Sequence, residues 1–180
     1  EGSCEEEAMK YITEEVKNIR DALQGAMDII AEAVSDNPKQ RWAFKDVILK
    51  SGVLKTALKK DAKDDDKVYE MYYDRSEKIS TLQDHRIMAI DRAEKAKVIA
   101  VTFVYDEEHL EAEALKNLTH GKTTIAENYL QMASKDGCER LLFPSIEREI
   151  RSELSARAQG RSIEVFSMNL EKLLLQAPLK

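Results

Sequence analysis

Three stretches carry side chains whose type and spacing could do chemistry. Asp64, Asp65 and Asp66 stand in a row, and adjacent carboxylates can attract a divalent cation. A calcium loop also needs glycine at its sixth position and glutamate at its twelfth, and no alignment of this tract supplies both. A solvated loop leading into a helix is the simpler reading. HGKTT, at 120–124, holds the Gly-Lys-Thr end of a phosphate-cradling loop. That loop requires a glycine where Lys116 stands, and a strand ahead of it where the pattern reads as helix. His85, His109 and His120 are the three histidines. They share no ligand spacing, and a satisfied or exposed imidazole explains each better than a zinc site. No serine lies in a nucleophile elbow. The chain therefore reads as a non-enzyme with no catalytic residue, metal or cofactor. A small metal-dependent enzyme built on the acidic tract is the remaining enzymatic alternative.

Two arginine groups are the interaction candidates, Arg86 with Arg92 and Arg148 with Arg151. A guanidinium offers a planar fork of donors that fits phosphate oxygens or a carboxylate. Each group therefore reads either as contact with RNA or DNA, or as ion pairing to protein. Asp84 and Asp91 lie beside the first group. Around the second, Glu147 precedes Arg151 and Glu153 precedes Arg157 by four residues, the order that favours pairing along a helix. Within 144–158 the interleaved glutamates repel phosphate about as strongly as the arginines attract it. Protein contact, including contact with other domains, is the expectation there. Direct nucleic-acid contact through Arg86 and Arg92 is the alternative.

The bulk of the chain sets the frame for these residues. Its 180 residues suit a single domain that can bury a core without disulfides. Charged residues make up 34% and apolar ones 43%, with only three prolines and six glycines, a balance that favours helices. A net charge of −6 argues against coating a phosphate backbone by charge alone. Cys4 and Cys138 are far apart and fit no metal spacing, as expected of reduced thiols in a cytoplasmic protein. No apolar run approaches ~20 residues, so no membrane span is expected, and no secretory signal is recognised. The chain opens on EGSCEEEAMKYI and closes on LLLQAPLK, boundaries expected of a piece of a longer protein.

Periodicity supplies the elements. Ala8, Met9, Ile12 and Val16 predict an amphipathic helix over 5–17. Asn18 can cap a helix over 19–35, with Asp21 as its partner. Pro38 suits the first turn of the next, which Trp42, Phe44, Val47 and Ile48 carry to a stop at Gly52. Residues 53–58 read as a short strand or one helical turn, and 59–66 as a charged loop. A short helix with an aromatic face is predicted over 67–74, and a longer one over 81–96 with Thr81 as cap. VIAVTFVY, at 98–105, is the one strong strand signal, and it needs a partner, either 53–58 or something outside this chain. Asp106 caps a helix over 107–119. Residues 123–142 read as helix with a weak point at Gly137. Ile146, Ile150, Leu154 and Ala158 form an apolar line on a helix from Pro144. Gly160 is expected to soften it, and 161–176 forms an apolar-sided helix ending before Pro178.

Several of these stretches, taken together, resemble one family. ALQGAMDIIAE (22–32), YEMYYDRSEKI (69–79), HRIMAIDRAEKAKVIAV (85–101), ERLLFPSIEREIRSEL (139–154) and IEVFSMNLEKLLLQAPLK (163–180) are similar to the Tex family of bacterial transcription accessory proteins. The resemblance covers nearly the whole chain in family order. It implies that residues 1–180 are a single helical domain, the later part of a helical N-terminal region. A ribonuclease-H-like domain, helix-hairpin-helix units and an S1 domain would follow. Nucleic acid would be bound through the full-length protein, and the other domains of the parent and the transcription machinery would be partners. The chain departs from the family pattern at Ala93, where glycine is common, and at Arg75, where an aromatic residue is frequent. It also lacks a proline before His85-Arg86. Alanine at 93 predicts a helix that runs on rather than turning.

The reading is an all-α, mainly helical chain with one short strand or a minimal two-stranded element near 53–58 and 98–105. Its expected role is a non-catalytic scaffold.

Overall fold

A computed structural model of the chain describes residues 3–176. Its helices are α1 (Cys4–Ala8), α2 (Ile19–Asp36), α3 (Pro38–Ser51), α4 (Asp84–Lys95), α5 (Glu107–Thr119), α6 (Glu127–Asp136) and α7 (Phe143–Leu174). Its strands are β1 (Val53–Leu58), β2 (Arg75–Lys78) and β3 (Ile99–Val104). The chain is mainly helical, as expected, but the sheet has three strands rather than one or two. The chain divides into two compact units, one of residues 1–46 with 106–147 and one of 47–105 with 148–180.

The first unit is helical. Ser3 opens α1 with a reciprocal cap, its Oγ accepting from Glu6 N and the Glu6 carboxylate accepting from Ser3 N. The expected helix over 5–17 does not persist. After a 3₁₀ turn at Met9–Tyr11 the backbone becomes extended at Ile12. Thr13 then closes a local turn, its Oγ1 accepting from Val16 N at 3.2 Å and its N–H donating to Val16 O at 3.0 Å. This turn occupies backbone groups that a continuing helix would use. Asn18 caps α2 as expected, accepting from Asp21 N at 2.9 Å. α2 packs against α6 and the turn that follows it. That turn, Gly137–Leu142, is π-helical, and it joins α6 to α7 without a break. Gly137 is thus a contact point rather than a weak point. A Cβ there would lie 2.7 Å from Ala31 O, so only glycine lets α2 come this close. Cys138 is buried beside it, and burial first, then the charges of Glu111 and Glu139, pushes its thiol up to about 12. The Phe44 and Phe143 ring centroids stand 6.4 Å apart.

The second unit is built on the sheet, in the order β2-β1-β3 and antiparallel throughout. The strong strand signal thus finds its partner at 53–58. Leu54 pairs in register with Phe103, and both are buried. Buried Thr56 keeps its hydroxyl satisfied, donating to Tyr72 O at 2.6 Å and accepting from Arg75 N at 3.2 Å. The sequence pattern assigns no element to the residues of β2. Its sequence RSEK has no strand signal, and its charged side chains suit an edge. The predicted helix over 67–74 is only a 3₁₀ turn at Glu70–Tyr72. Thr81 does not cap α4, because its Oγ1 donates to Lys78 O in the preceding turn. α4 starts after Gln83 and runs through Ala93, which is fully buried. The helix therefore continues where the family pattern has glycine.

α7 is one helix through Gly160, where the sequence predicts softening. A Cβ at Gly160 would meet nothing within 4 Å, so neither crowding nor a turn requires glycine there. Residues 148–174 of α7 belong to the second unit, and Ile150, Leu154 and Ala158 are buried. Trp42 and Val47, expected on the buried line of α3, are exposed, while Phe44 and Ile48 are buried. Among the described residues, no helix is long and apolar enough to cross a membrane.

Candidate interface on the α4 and α7 helices

α4 turns Ile87, Ile90 and Ala93 inward. A second row, Asp84, Met88 and Asp91, recurs at four and three residues and so shares another face. This row meets α7. Arg151 Nη2 lies 2.7 Å from Asp91 Oδ1 and 2.8 Å from Glu94 Oε2. Ser162 Oγ contacts Met88 Sδ at 2.8 Å. At the start of α4, Asp84 accepts from Arg157 Nε at 3.0 Å and from Arg161 Nη1 at 3.0 Å. Arg157 Nη2 also donates to Leu82 O at 3.1 Å. Contacts that run from the end of α4 at Arg151 to its start at Arg157 and Arg161 set the two helices antiparallel.

Burial acts to raise the Asp84 carboxyl. Hydrogen bonds from Arg161 and Arg157, with their charges, outweigh it and hold the group below the usual carboxylate range. The Arg151 side chain is only 17% exposed and that of Asp91 15%, so this pair works in a drier setting. Arg151 Nη1 is buried and has no hydrogen-bond partner among the described residues.

The four arginines named from sequence fall into different settings. Arg86 is half-buried and bonds Glu77 on β2, a carboxylate that also takes Arg75 Nε at 2.6 Å. It fastens α4 to the sheet. Arg151 fastens α4 to α7. Arg148 is exposed on α7. Arg92 is exposed on α4, and its side chain has no hydrogen bond or ion pair among the described residues. Arg86 and Arg92 thus lie in different settings on α4. Sequence reading missed the pairing of Arg157 and Arg161 with Asp84. The contact spans more than 70 positions, and no local signal reports it.

The other candidates are placed apart. Asp64 folds its own loop, accepting from Val68 N at 3.0 Å, Tyr69 N at 2.9 Å and Tyr73 Oη at 2.6 Å. Those bonds, the one from Tyr73 foremost, hold its carboxyl low, while the Tyr73 phenol is pushed up to about 12. Among the described residues, no group of three or more His, Cys, Asp or Glu side chains is arranged to hold a metal. HGKTT follows α5 rather than a strand, with left-handed backbone at His120 and Gly121. His109 and His120 are exposed in the first unit and His85 is exposed on α4.

Comparison with known proteins gives this helical frame its context. An uncharacterized protein of Bacillus subtilis, YdcI, is 41% identical over 96% of this chain and 24% of its own length. The S1 RNA-binding domain-containing protein 1 of Homo sapiens is 27% identical over 95% of the chain and 19% of its own length. The transcriptional accessory protein Tex of Neisseria gonorrhoeae is 23% identical over 95% of the chain and 23% of its own length. The chain thus spans less than a quarter of these relatives. A family described as Tex central region-like matches residues 1–166, and the chain belongs to the Tex family.

Proposed function

We propose that this chain is a non-catalytic helical scaffold within a longer, cytoplasmic, Tex-type transcription accessory protein. It positions neighbouring domains, and nucleic acid is bound through the full-length protein. The names of two relatives, one a transcriptional accessory protein and one containing an S1 RNA-binding domain, support that context. A ribonuclease-H-like domain, helix-hairpin-helix units and an S1 domain are the proposed neighbours, and the transcription machinery is a further proposed partner.

One observation carries the scaffold role. Ile163, Leu170 and Leu174 share one side of α7 at spacings of seven and four, and are 66%, 42% and 74% exposed. A row of large aliphatic side chains facing water marks a surface built to meet protein. The arginines upstream hold α7 to α4, so this row is presented on a fixed element. Arg148 is proposed as a polar contact to the same neighbours.

The test uses the longer protein carrying Ile163→Asp with Leu174→Asp. The expected result is unchanged helix content, a larger radius of gyration and new protease cleavage between domains. Unchanged compactness and an unchanged cleavage pattern would refute the role.

A further inference from the structure

Beside the line where α4 meets α7, the second unit opens a cleft of ≈ 660 Å³. Its walls include Asp84, His85 and Arg92 of α4 with Val165, Phe166 and Asn169 of α7. We propose that this cleft binds single-stranded nucleic acid, with a base stacked on Phe166 and a backbone phosphate held by Arg92.

Charge points to an anion. Asp84 is the one carboxylate in the lining, and Arg157 and Arg161 already hold it. Arg86 and Arg151 are likewise engaged with acids. Arg92 has no such partner among the described residues and is exposed at the cleft. Of the two arginines in the lining it is the one with all its donors available, since Arg161 gives Nη1 to Asp84, and a phosphate matches its planar fork.

Shape and polarity point to a base. Phe166 is 67% exposed and Val165 56%, so a flat aromatic face stands open beside an aliphatic wall. Asn169 and His85 are exposed, and their side chains have no hydrogen-bond partner among the described residues. Both can bond a base edge or a sugar. An aromatic platform with adjacent cations is the recurring means of holding an unpaired strand, because every base has a π-face. A duplex would need a row of cations along a groove, which a chain of net charge −6 with paired arginines does not provide. An acidic peptide would satisfy Arg92 but would leave the Phe166 face uncovered.

This inference does not rest on the scaffold role. Phe166 stands three residues after Ile163 and four before Leu170 and so borders their row, whereas Arg92 lies on α4 and Asn169 on another side of α7. The two readings separate because Arg92→Glu leaves the row intact, while Ile163→Asp with Leu174→Asp leaves Arg92 and Phe166 in place.

The test titrates this chain into labelled single strands of about ten nucleotides, ribo- and deoxyribo-, and follows fluorescence anisotropy at several salt concentrations. Circular dichroism confirms folding of each variant. Arg92→Glu should weaken binding about tenfold and lower the salt slope by about one. Phe166→Ala should weaken binding about tenfold and leave the slope unchanged. Lys116→Glu, in the other unit, makes the same charge change outside the cleft and should have little effect. The ribo- and deoxyribo- arms show whether the 2′-hydroxyl is read. Absence of binding by the unaltered chain at low salt overturns the proposal. So does equal weakening by Arg92→Glu and Lys116→Glu, which would reduce the effect to bulk charge. So does an Arg92-dependent complex with an acidic peptide that excludes the nucleic acid, which would assign the cleft to a protein.

Discussion

Arg151 on α7 holds Asp91 on α4 at 2.7 Å, and the same nitrogen holds Glu94 at 2.8 Å. The arginine is therefore a clamp between two helices, with two acids on one side and one guanidinium on the other. Its near-burial raises the cost of losing it, since Asp91 would be left mostly buried and uncompensated. Arg151→Ala should destabilise the chain by about 2–4 kcal/mol, below the upper end for fully buried pairs because Glu94 is partly exposed. Arg92→Ala, on the same α4 helix but unpaired, should change stability by less than about 0.5 kcal/mol. Urea unfolding of the two variants side by side checks both. Equal effects would contradict the clamp.

Two glycines in one continuous run of helix should respond in opposite directions. Gly137→Ala puts a Cβ 2.7 Å from Ala31 O and should cost about 1–3 kcal/mol. Gly160→Ala adds a methyl to open space within α7 and should stabilise by about 0.5–1 kcal/mol. Thermal unfolding of the pair reads the sign directly.

The loop that folds over Asp64 should carry a pH signature. Tyr73 keeps its proton to about 12 because the phenol donates to the Asp64 carboxylate. A phenol with a raised folded value contributes stability below about pH 10, its unfolded value, and loses it as pH climbs toward 12. Asp64 is shifted down, so its contribution is present above its unfolded value near 4 and lost as pH falls. Absorbance titration should show a tyrosine step near pH 12, above that of Tyr129, whose phenol burial and Glu5 also raise, and Tyr73→Phe should remove it. A titration of six equivalent phenols would contradict the bond.

The legible parts of this fold are those with a local cause. Asn18 and Asp106 announce helix starts, Pro38 and Gly52 bracket α3, and the β-branched run at 99–104 announces a strand. β2 is invisible because RSEK becomes a strand only by pairing with β1, which supplies what the side chains do not. Gly137 and Gly160 look alike in sequence. Only the approach of α2 to one of them, a tertiary fact, tells them apart. The buried line of Ile146, Ile150, Leu154 and Ala158 was readable from period alone. The destinations of the arginines were not, since Arg157 and Arg161 reach an acid that is adjacent only after α4 and α7 have packed. Arg92 could be named from sequence as a candidate. Phe166 could not, because an apolar side of a helix does not reveal which of its residues stay uncovered.

Amide hydrogen exchange along α7, measured in this chain and in the longer protein, tests the scaffold role most directly. Residues 150–158, whose Ile150, Leu154 and Ala158 are buried within this chain, should be protected in both. Residues 163–174 should exchange readily in this chain and be slowed about tenfold or more in the longer protein, where a neighbouring domain covers Ile163, Leu170 and Leu174. Equal, fast exchange of 163–174 in both would contradict the claim that this face of α7 is built to hold another domain.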